Sequence, residues 1–214
     1  MRHLPHLLVP GEWGHGAFEL EAADLAHLTR VLRLSDGDTV SYTDGAGRVG
    51  HGRLEGRVVA RGTESEVPRP RDLTVAVAPP RQRDRARFLV EKVQEIGVRR
   101  LMWLDTDHGE GKPPSDARVA AWRKAAIEQS RGAWLVEVNG PVRLADLENP
   151  LLCDPDGEPI AHFDDTGPIM LAVGPEGGWS NAERDGRSAI SLGSQILRVE
   201  TAAVVAAGII LHGR

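Results

Sequence analysis

From residue 73 onward, short apolar runs alternate regularly with segments of helical periodicity. The runs at residues 73–78 and 169–173 are almost continuously apolar, which is typical of strands buried on both faces of a parallel sheet. Residues 84–96 and 115–130 repeat apolar side chains at helical spacing, and residues 199–211 are apolar almost throughout. This alternation predicts an α/β domain built around a parallel sheet.

Shorter apolar runs between these segments complete the predicted sheet. They are flanked by turn residues and are expected to form strands at residues 101–104, 136–138, 151–153 and 189–192. Gly97 is placed to end the helix at residues 84–96, because glycine adopts the left-handed conformation common at helix C-termini.

The first 68 residues have a different pattern, in which strand-like runs are separated by Asp-Gly turns. Strands are predicted at residues 39–43, 49–54 and 58–60, since Asp-Gly between such runs is a strong hairpin signal. A helix is expected at residues 24–32. Its apolar face comprises Leu25, Leu28, Val31 and Leu32. The region is predicted to be a small β-barrel with one short helix.

The charged stretch at residues 64–71 separates the two patterns and contains Pro68 and Pro70. Prolines in a polar stretch favour an extended connection between domains. We therefore predict two domains, residues 1–68 and residues 72–214.

Cysteine and histidine usage narrows the function classes. The chain has one cysteine, Cys153, so it forms no internal disulfide and no multi-cysteine zinc site. Its eight histidines lack metal-ligand spacing, so no metal is expected.

The longest apolar run, at residues 202–211, is too short to span a bilayer, and the first residues do not resemble a signal peptide. A cytoplasmic location is therefore expected.

The net charge of −5 at pH 7 by itself weighs against a nucleic-acid partner. However, Arg81, Arg83, Arg85 and Arg87 form a dense basic cluster, and only the local field matters at a binding groove. The cluster is either the solvated start of a helix or an edge that contacts phosphates.

Two glycine-containing loops each lie between a predicted strand and a helix. In residues 172–183, AVGPEGGWSNAE, the glycines allow a ligand close to the backbone, and Ser180 or Asn181 is positioned to cap the helix. In residues 191–203, SLGSQILRVETAA, Arg198 and Glu200 stand at the start of an apolar helix. Because ligands bind beyond the carboxyl ends of parallel strands, both loops are candidate walls of one site. The alternatives are that the first is only a tight strand-to-helix connection and that the second is a salt-bridged helix start beside a core helix.

These two motifs, GPEGGWS and LGSQILRVETAA, resemble the signature of the bacterial 16S ribosomal RNA uridine-N3 methyltransferases. That family belongs to the SPOUT, or α/β-knot, superfamily. Three further stretches are similar to the family in the same order. They are DLAHLTRVLRLSDGDTV at residues 24–40, ARFLVEKVQEIGV at residues 86–98 and KAAIEQSRG at residues 124–132.

The resemblance implies a C-terminal trefoil-knot α/β domain that binds S-adenosylmethionine, preceded by a PUA-like β-barrel that helps to hold RNA. It implies a homodimer that acts on the small ribosomal subunit. The cofactor residues that it implies are Leu152, Cys153, Gly174, Pro175, Glu176, Gly177, Gly178, Leu192, Gly193, Ile196, Leu197, Arg198, Thr201 and Ala202. Candidates for RNA binding are Arg30, Arg33, Arg81, Arg83, Arg85, Arg87, Gln129 and Arg131.

Two charged residues are candidates for catalysis. Uridine N3 carries a proton and becomes a good nucleophile only when that proton leaves, so a base or a nearby cation would help. Arg198 is the candidate cation, and Glu200 is a possible base, although a role in capping its own helix is favoured.

Two uncharged residues near these motifs also have predicted roles. Trp179 either stacks on a nucleobase or is buried beside the turn. Cys153 is expected to be a buried apolar residue.

The chain also departs from the family pattern. The family usually has Arg at the position of Gln195 and Thr at that of Val199, and residues 105–112 replace its Ser-Glu-Arg-Ser segment. These differences leave two alternatives to uridine-N3 methylation. One is a SPOUT enzyme with another RNA target, such as a ribose hydroxyl. The other is an RNA-binding relative without catalysis.

Overall fold

The computed structural model describes residues 4–163 and 166–213. Contacts divide the chain into two units. The amino-terminal unit comprises residues up to Arg69 together with Ile127–Leu135, and the carboxy-terminal unit comprises Pro70–Ala126 and the residues from Val136 onward. The domain limits expected from the linker, residues 1–68 and 72–214, stay predictions.

The amino-terminal unit contains a five-stranded half-barrel with strand order β1-β3-β4-β5-β2. Its strands are β1 (His6–Leu8), β2 (Ala17–Glu19), β3 (Thr39–Thr43), β4 (Arg48–Glu55) and β5 (Val58–Glu66). The β1–β3 pair is parallel and the other pairs are antiparallel. Because β5 continues to Glu66, paired with Arg48, the extended connection is shorter than the sequence predicts.

The helix of this unit starts as α1 (Ala22–Ala26) and continues as a π-helical turn, His27–Val31. Leu28 is fully buried, as predicted, but Val31 is 65% exposed and Leu32 is 38% exposed. The wider π turn explains the difference, because it changes the angular spacing on which the predicted face depended.

The segment Ile127–Leu135 is joined to this half-barrel by hydrogen bonds. His6 Nε2 donates to the Gly132 carbonyl at 3.2 Å, and the Thr43 hydroxyl donates to the Ala133 carbonyl at 3.1 Å. The Trp134 indole donates to the Val67 carbonyl at 3.1 Å. These bonds tie the segment to β1, β3 and the end of β5 through backbone carbonyls on both sides.

The carboxy-terminal unit contains a six-stranded parallel sheet with strand order β11-β9-β10-β6-β7-β8. Its strands are β6 (Leu73–Val77), β7 (Arg100–Asp105), β8 (Glu137–Arg143), β9 (Leu151–Pro159), β10 (Ile169–Val173) and β11 (Ala189–Ser191). The strand β6 is completely buried, as its apolar run predicts. The predicted fold class, an α/β chain with a parallel sheet preceded by a small β domain, is confirmed.

Four helices accompany these strands. They are α2 (Arg83–Glu95), α3 (Asp116–Ser130), α4 (Asn181–Arg184) and α5 (Val199–His212). Helix α5 packs against α2, β6 and β10, and Ala203, Ala206 and Ala207 are fully buried there. Phe88 of α2 is 42% exposed, while its neighbour Leu89 is fully buried. In the part of the chain that the structure describes, no helix is long and apolar enough to cross a membrane.

Candidate active site

A cavity of about 450 Å³ lies beyond the carboxyl end of β10. Strand β10 ends at Val173, which pairs with Cys153 of β9, and β9 continues past this point. Residues 174–179 follow β10, and residues 192–199 follow β11. These two loops and the exposed part of β9 form the walls. Leu152 and Cys153, which the resemblance implies as cofactor residues, therefore lie in a strand rather than a loop.

Twelve of the fourteen predicted cofactor residues line this cavity. The exceptions are Leu152, which is buried beneath the site, and the half-buried Thr201. Asp154, which belongs to the cofactor segment 152–154 that the resemblance implies, also lines the cavity. Arg184 lines it as well but was not assigned to cofactor binding, because it reaches the cavity only when α4 is brought beside β9.

The glycine-rich turn at residues 174–178 is held tightly. The Gly178 amide donates to the Pro175 carbonyl at 2.9 Å, and Gly178 has a φ of +73°, which favours glycine. A Cβ on Gly174 would lie 2.9 Å from the Trp179 ring. Trp179 is buried, and its indole donates to the Cys153 carbonyl at 3.0 Å. Of the two predicted roles of Trp179, the structure shows burial beside the turn.

The turn leads directly into α4 through a capping box. The Ser180 hydroxyl accepts from the Glu183 amide at 3.2 Å, and the Glu183 carboxylate accepts from the Ser180 amide at 2.9 Å. The prediction that Ser180 or Asn181 caps this helix is confirmed, with Ser180 as the cap. The capping box fixes the direction in which the chain leaves the cavity wall.

The loop after β11 forms the most exposed wall. Gly193 has a φ of +123°, and Ile196 is 81% exposed. Arg198 is the exposed N-cap residue of α5, while Val199 and Ala202 are buried in its first turn. The cavity is therefore apolar at the base of this wall and carries a cation at its rim.

Several charged groups at the cavity form ion pairs. Asp154 is 5% exposed and lies 3.2 Å from Arg184 Nε. Arg85 of α2 lies 3.6 Å from both Glu176 and Glu200. Glu200 is buried, and its Oε2 atom has no hydrogen-bond partner among the described residues. The carboxylate thus faces Arg85, and the favoured role in capping its own helix is not what these contacts show.

Cys153 contributes a neutral side chain. Burial raises the pKa of its thiol to about 12, so the thiolate form is negligible near neutral pH. The side chain is half-buried and lines the cavity, so the predicted burial of Cys153 is only partial. Among residues 4–163 and 166–213, no three histidine, cysteine or acidic side chains are grouped to hold a metal ion.

A second cavity, of about 530 Å³, lies at the opposite ends of the strands. Leu151 and Ile169, the first residues of β9 and β10, contribute to its lining. Gly186 is the one glycine among its described lining residues, so the chemistry of the loops favours the smaller cavity as the active site.

Comparison with known proteins identifies the family. Residues 67–211 match the family model described as an RNA methyltransferase domain. Ribosomal RNA small subunit methyltransferase E of a Synechocystis species is 30% identical to this chain, with 87% of the chain and 70% of that protein aligned. The chain belongs to the ribosomal RNA small subunit methyltransferase E family.

Solved structures have the same fold as this family member. The probable rRNA-methyltransferase of Porphyromonas gingivalis is 25% identical, with a TM-score of 0.84 and 97% of each chain covered. The Ribosomal RNA small subunit methyltransferase E of Neisseria gonorrhoeae, solved bound to S-adenosyl methionine, has a TM-score of 0.84 at 23% identity and 97% coverage of each chain. The fold expected from the motifs is the fold of this family.

The RNA-binding candidates of this methyltransferase family member lie in different surroundings. In α2 and the residues before it, Arg81 pairs with Glu110, Arg87 pairs with Glu91 at 2.7 Å, and Arg85 is half-buried. Arg83 is exposed at the first position of the helix. The basic cluster is therefore largely neutralised by carboxylates, and its role in RNA binding stays a prediction.

The other candidates belong to the amino-terminal unit. Arg30, Arg33 and Gln129 are exposed, and Arg33 has a φ of +58° at the end of the π-helical segment. Arg131 is exposed and donates to the Leu4 carbonyl at 2.9 Å. Arg131 of the KAAIEQSRG motif thus contacts the segment before β1, which its position in the sequence did not predict.

Proposed function

We propose that this chain transfers a methyl group from S-adenosylmethionine to N3 of a uridine in the 16S ribosomal RNA of the small subunit. The observation that carries the proposal is the cavity beyond β10, formed by the two motifs characteristic of the family. The relatives named Ribosomal RNA small subunit methyltransferase E support the same substrate.

The cavity fits a small cofactor of this kind. Its volume of about 450 Å³ lies within the usual range of small-molecule sites, which is about 300–1,000 Å³. The three glycines of the turn at residues 174–178 carry no side chain that could hinder a ligand at their backbone, and Leu192, Leu197 and Ala202 offer apolar surface. When bound, S-adenosylmethionine supplies an electrophilic methyl group on a sulfonium.

Arg198 is the residue that we assign to charge stabilisation. It is exposed at the rim of the cavity, and none of the ion pairs among the described residues involves it. A guanidinium there would stabilise the negative charge that develops on the uridine as its N3 proton leaves. Because Glu200 is buried and faces Arg85, we assign it to holding Arg85 rather than to removing that proton.

RNA binding and assembly complete the proposal. We assign phosphate contacts to the exposed Arg30, Arg33 and Arg83. We infer a homodimer, supported by apolar side chains that α2 and α5 leave exposed: Phe88 at 42% and Ile209 at 38%. A ribosomal RNA substrate also supports the expected cytoplasmic location.

The test is a methylation assay on small subunits purified from a strain that lacks the modification. The purified protein is incubated with the subunits and labelled S-adenosylmethionine, and the nucleosides are analysed by mass spectrometry. The proposal predicts N3-methyluridine. A ribose-methylated nucleoside would favour the other SPOUT target, and no product despite cofactor binding would favour the RNA-binding relative.

A further inference from the structure

The loop after β7, residues 106–109, lies directly against the glycine-rich turn. His108 Nδ1 donates to the Gly178 carbonyl at 3.0 Å. A Cβ on Gly177 would lie 3.1 Å from the His108 Cβ atom, which is closer than most packed atoms approach. This loop therefore contacts the wall of the cavity at two consecutive residues, although His108 itself is outside the cavity lining.

The same loop also extends the capping box of α4. Asp107 Oδ2 accepts from the Ser180 hydroxyl at 2.6 Å, and the Asp107 amide donates to Glu183 Oε1 at 3.1 Å. Together with the two bonds between Ser180 and Glu183, these make four hydrogen bonds that join Asp107, Ser180 and Glu183 into a closed ring. Glu183 is buried, so its carboxylate depends on these donors.

The loop itself is held in one shape by local contacts. The Gly109 amide donates to the Thr106 carbonyl at 3.0 Å, and a Cβ on Gly109 would lie 2.6 Å from the Thr106 hydroxyl. Thr106 is buried. A loop with a fixed shape can serve as a rigid support for a neighbouring turn, because it does not need to be ordered when a ligand binds.

We propose that residues 106–109 position the glycine-rich turn for the cofactor, with His108 holding the Gly178 carbonyl and Asp107 holding Ser180. The inference rests on the proposed function, because it concerns the same cavity. It gives a role to the segment in which this chain departs from the family pattern: the residues that replace Ser-Glu-Arg-Ser supply a contact to the turn. Each is a positioning residue, since neither lines the cavity.

The test is calorimetric titration of the full-length protein with S-adenosylhomocysteine. His108→Phe keeps a ring but removes the donor, and His108→Asn keeps an N–H donor attached at Cγ, where His108 carries Nδ1. We expect His108→Phe to weaken binding about three- to tenfold, as loss of one hydrogen bond does, and His108→Asn to stay within about twofold of the unaltered protein. A rescue by asparagine would not follow from a purely space-filling role.

Asp107→Ala provides the second variant and Asp105→Ala its matched control. Asp105 is the exposed last residue of β7. We expect Asp107→Ala to weaken binding and Asp105→Ala to leave it unchanged. Equal affinities for the unaltered protein, His108→Phe and Asp107→Ala would overturn this inference alone. If the unaltered, folded protein binds neither S-adenosylhomocysteine nor S-adenosylmethionine, the proposed function falls as well.

Discussion

Removal of the Glu183 carboxylate tests how strongly the capping box stabilises the carboxy-terminal unit. The side chain is 8% exposed and accepts from the Ser180 amide at 2.9 Å and from the Asp107 amide at 3.1 Å. Glu183→Ala leaves both donors without this partner. A hydrogen bond to a charged group contributes about 1.5–3 kcal/mol, so two such bonds predict a loss of about 3 kcal/mol in the free energy of unfolding.

Thermal unfolding followed by circular dichroism measures this loss. For a chain of this size, about 3 kcal/mol corresponds to a fall of about 6–12 °C in Tm. Glu183→Gln keeps one acceptor oxygen and should lose about half as much. The control is Glu91→Ala, which breaks a surface ion pair with Arg87 and should change stability by less than about 0.5 kcal/mol. A change below about 1 kcal/mol for Glu183→Ala would refute the reasoning.

Three further predictions concern titratable groups. The hydrogen bond from Arg61 holds the pKa of Glu64 below its usual value, so this group contributes stability above about pH 4.5 that is lost as the pH falls through its lowered pKa. Glu64→Gln should therefore lose less stability than the unaltered protein between pH 5 and about pH 3 in acid titrations. Burial lowers the pKa of His6, so the amino-terminal unit should lose stability as the pH falls below about 6.5, and His6→Asn should flatten this dependence in urea unfolding measured from pH 7.5 to about pH 5.5. The Cys153 thiol, with a pKa of about 12, should react slowly with a disulfide reagent at pH 8 in the native protein and rapidly once the protein is unfolded in urea; rapid reaction without urea would contradict the raised pKa.

Local signals made the walls of the cavity predictable from sequence. Ser180 caps α4 because a serine followed three residues later by glutamate satisfies the first amides of a helix, whatever the surrounding fold. The run at residues 169–173 became β10 with the same bounds, because a short apolar run bounded by turns has few other uses. Most predicted cofactor residues consequently line one cavity.

Features that depend on distant partners were not predictable. Arg85 lies 3.6 Å from both Glu176 and Glu200, which are far from it in sequence, while its contact with RNA phosphates stays a prediction. The buried face of the first helix was predicted from the regular spacing of an α-helix. Because His27–Val31 form a π-helical turn, that spacing does not hold there, and different residues are exposed. The strand order of the large sheet likewise depends on pairings between distant segments, which no local pattern encodes.

The contribution of Ile127–Leu135 to the amino-terminal unit has a consequence for biosynthesis. A nascent chain that has emerged only to Arg69 contains all five strands of the half-barrel but lacks the carbonyls that His6 and Thr43 bond. About 60 more residues must be translated first, which takes about 3–12 s at ordinary bacterial elongation rates. The first unit to be synthesised is therefore completed only after much of the second has emerged from the ribosome.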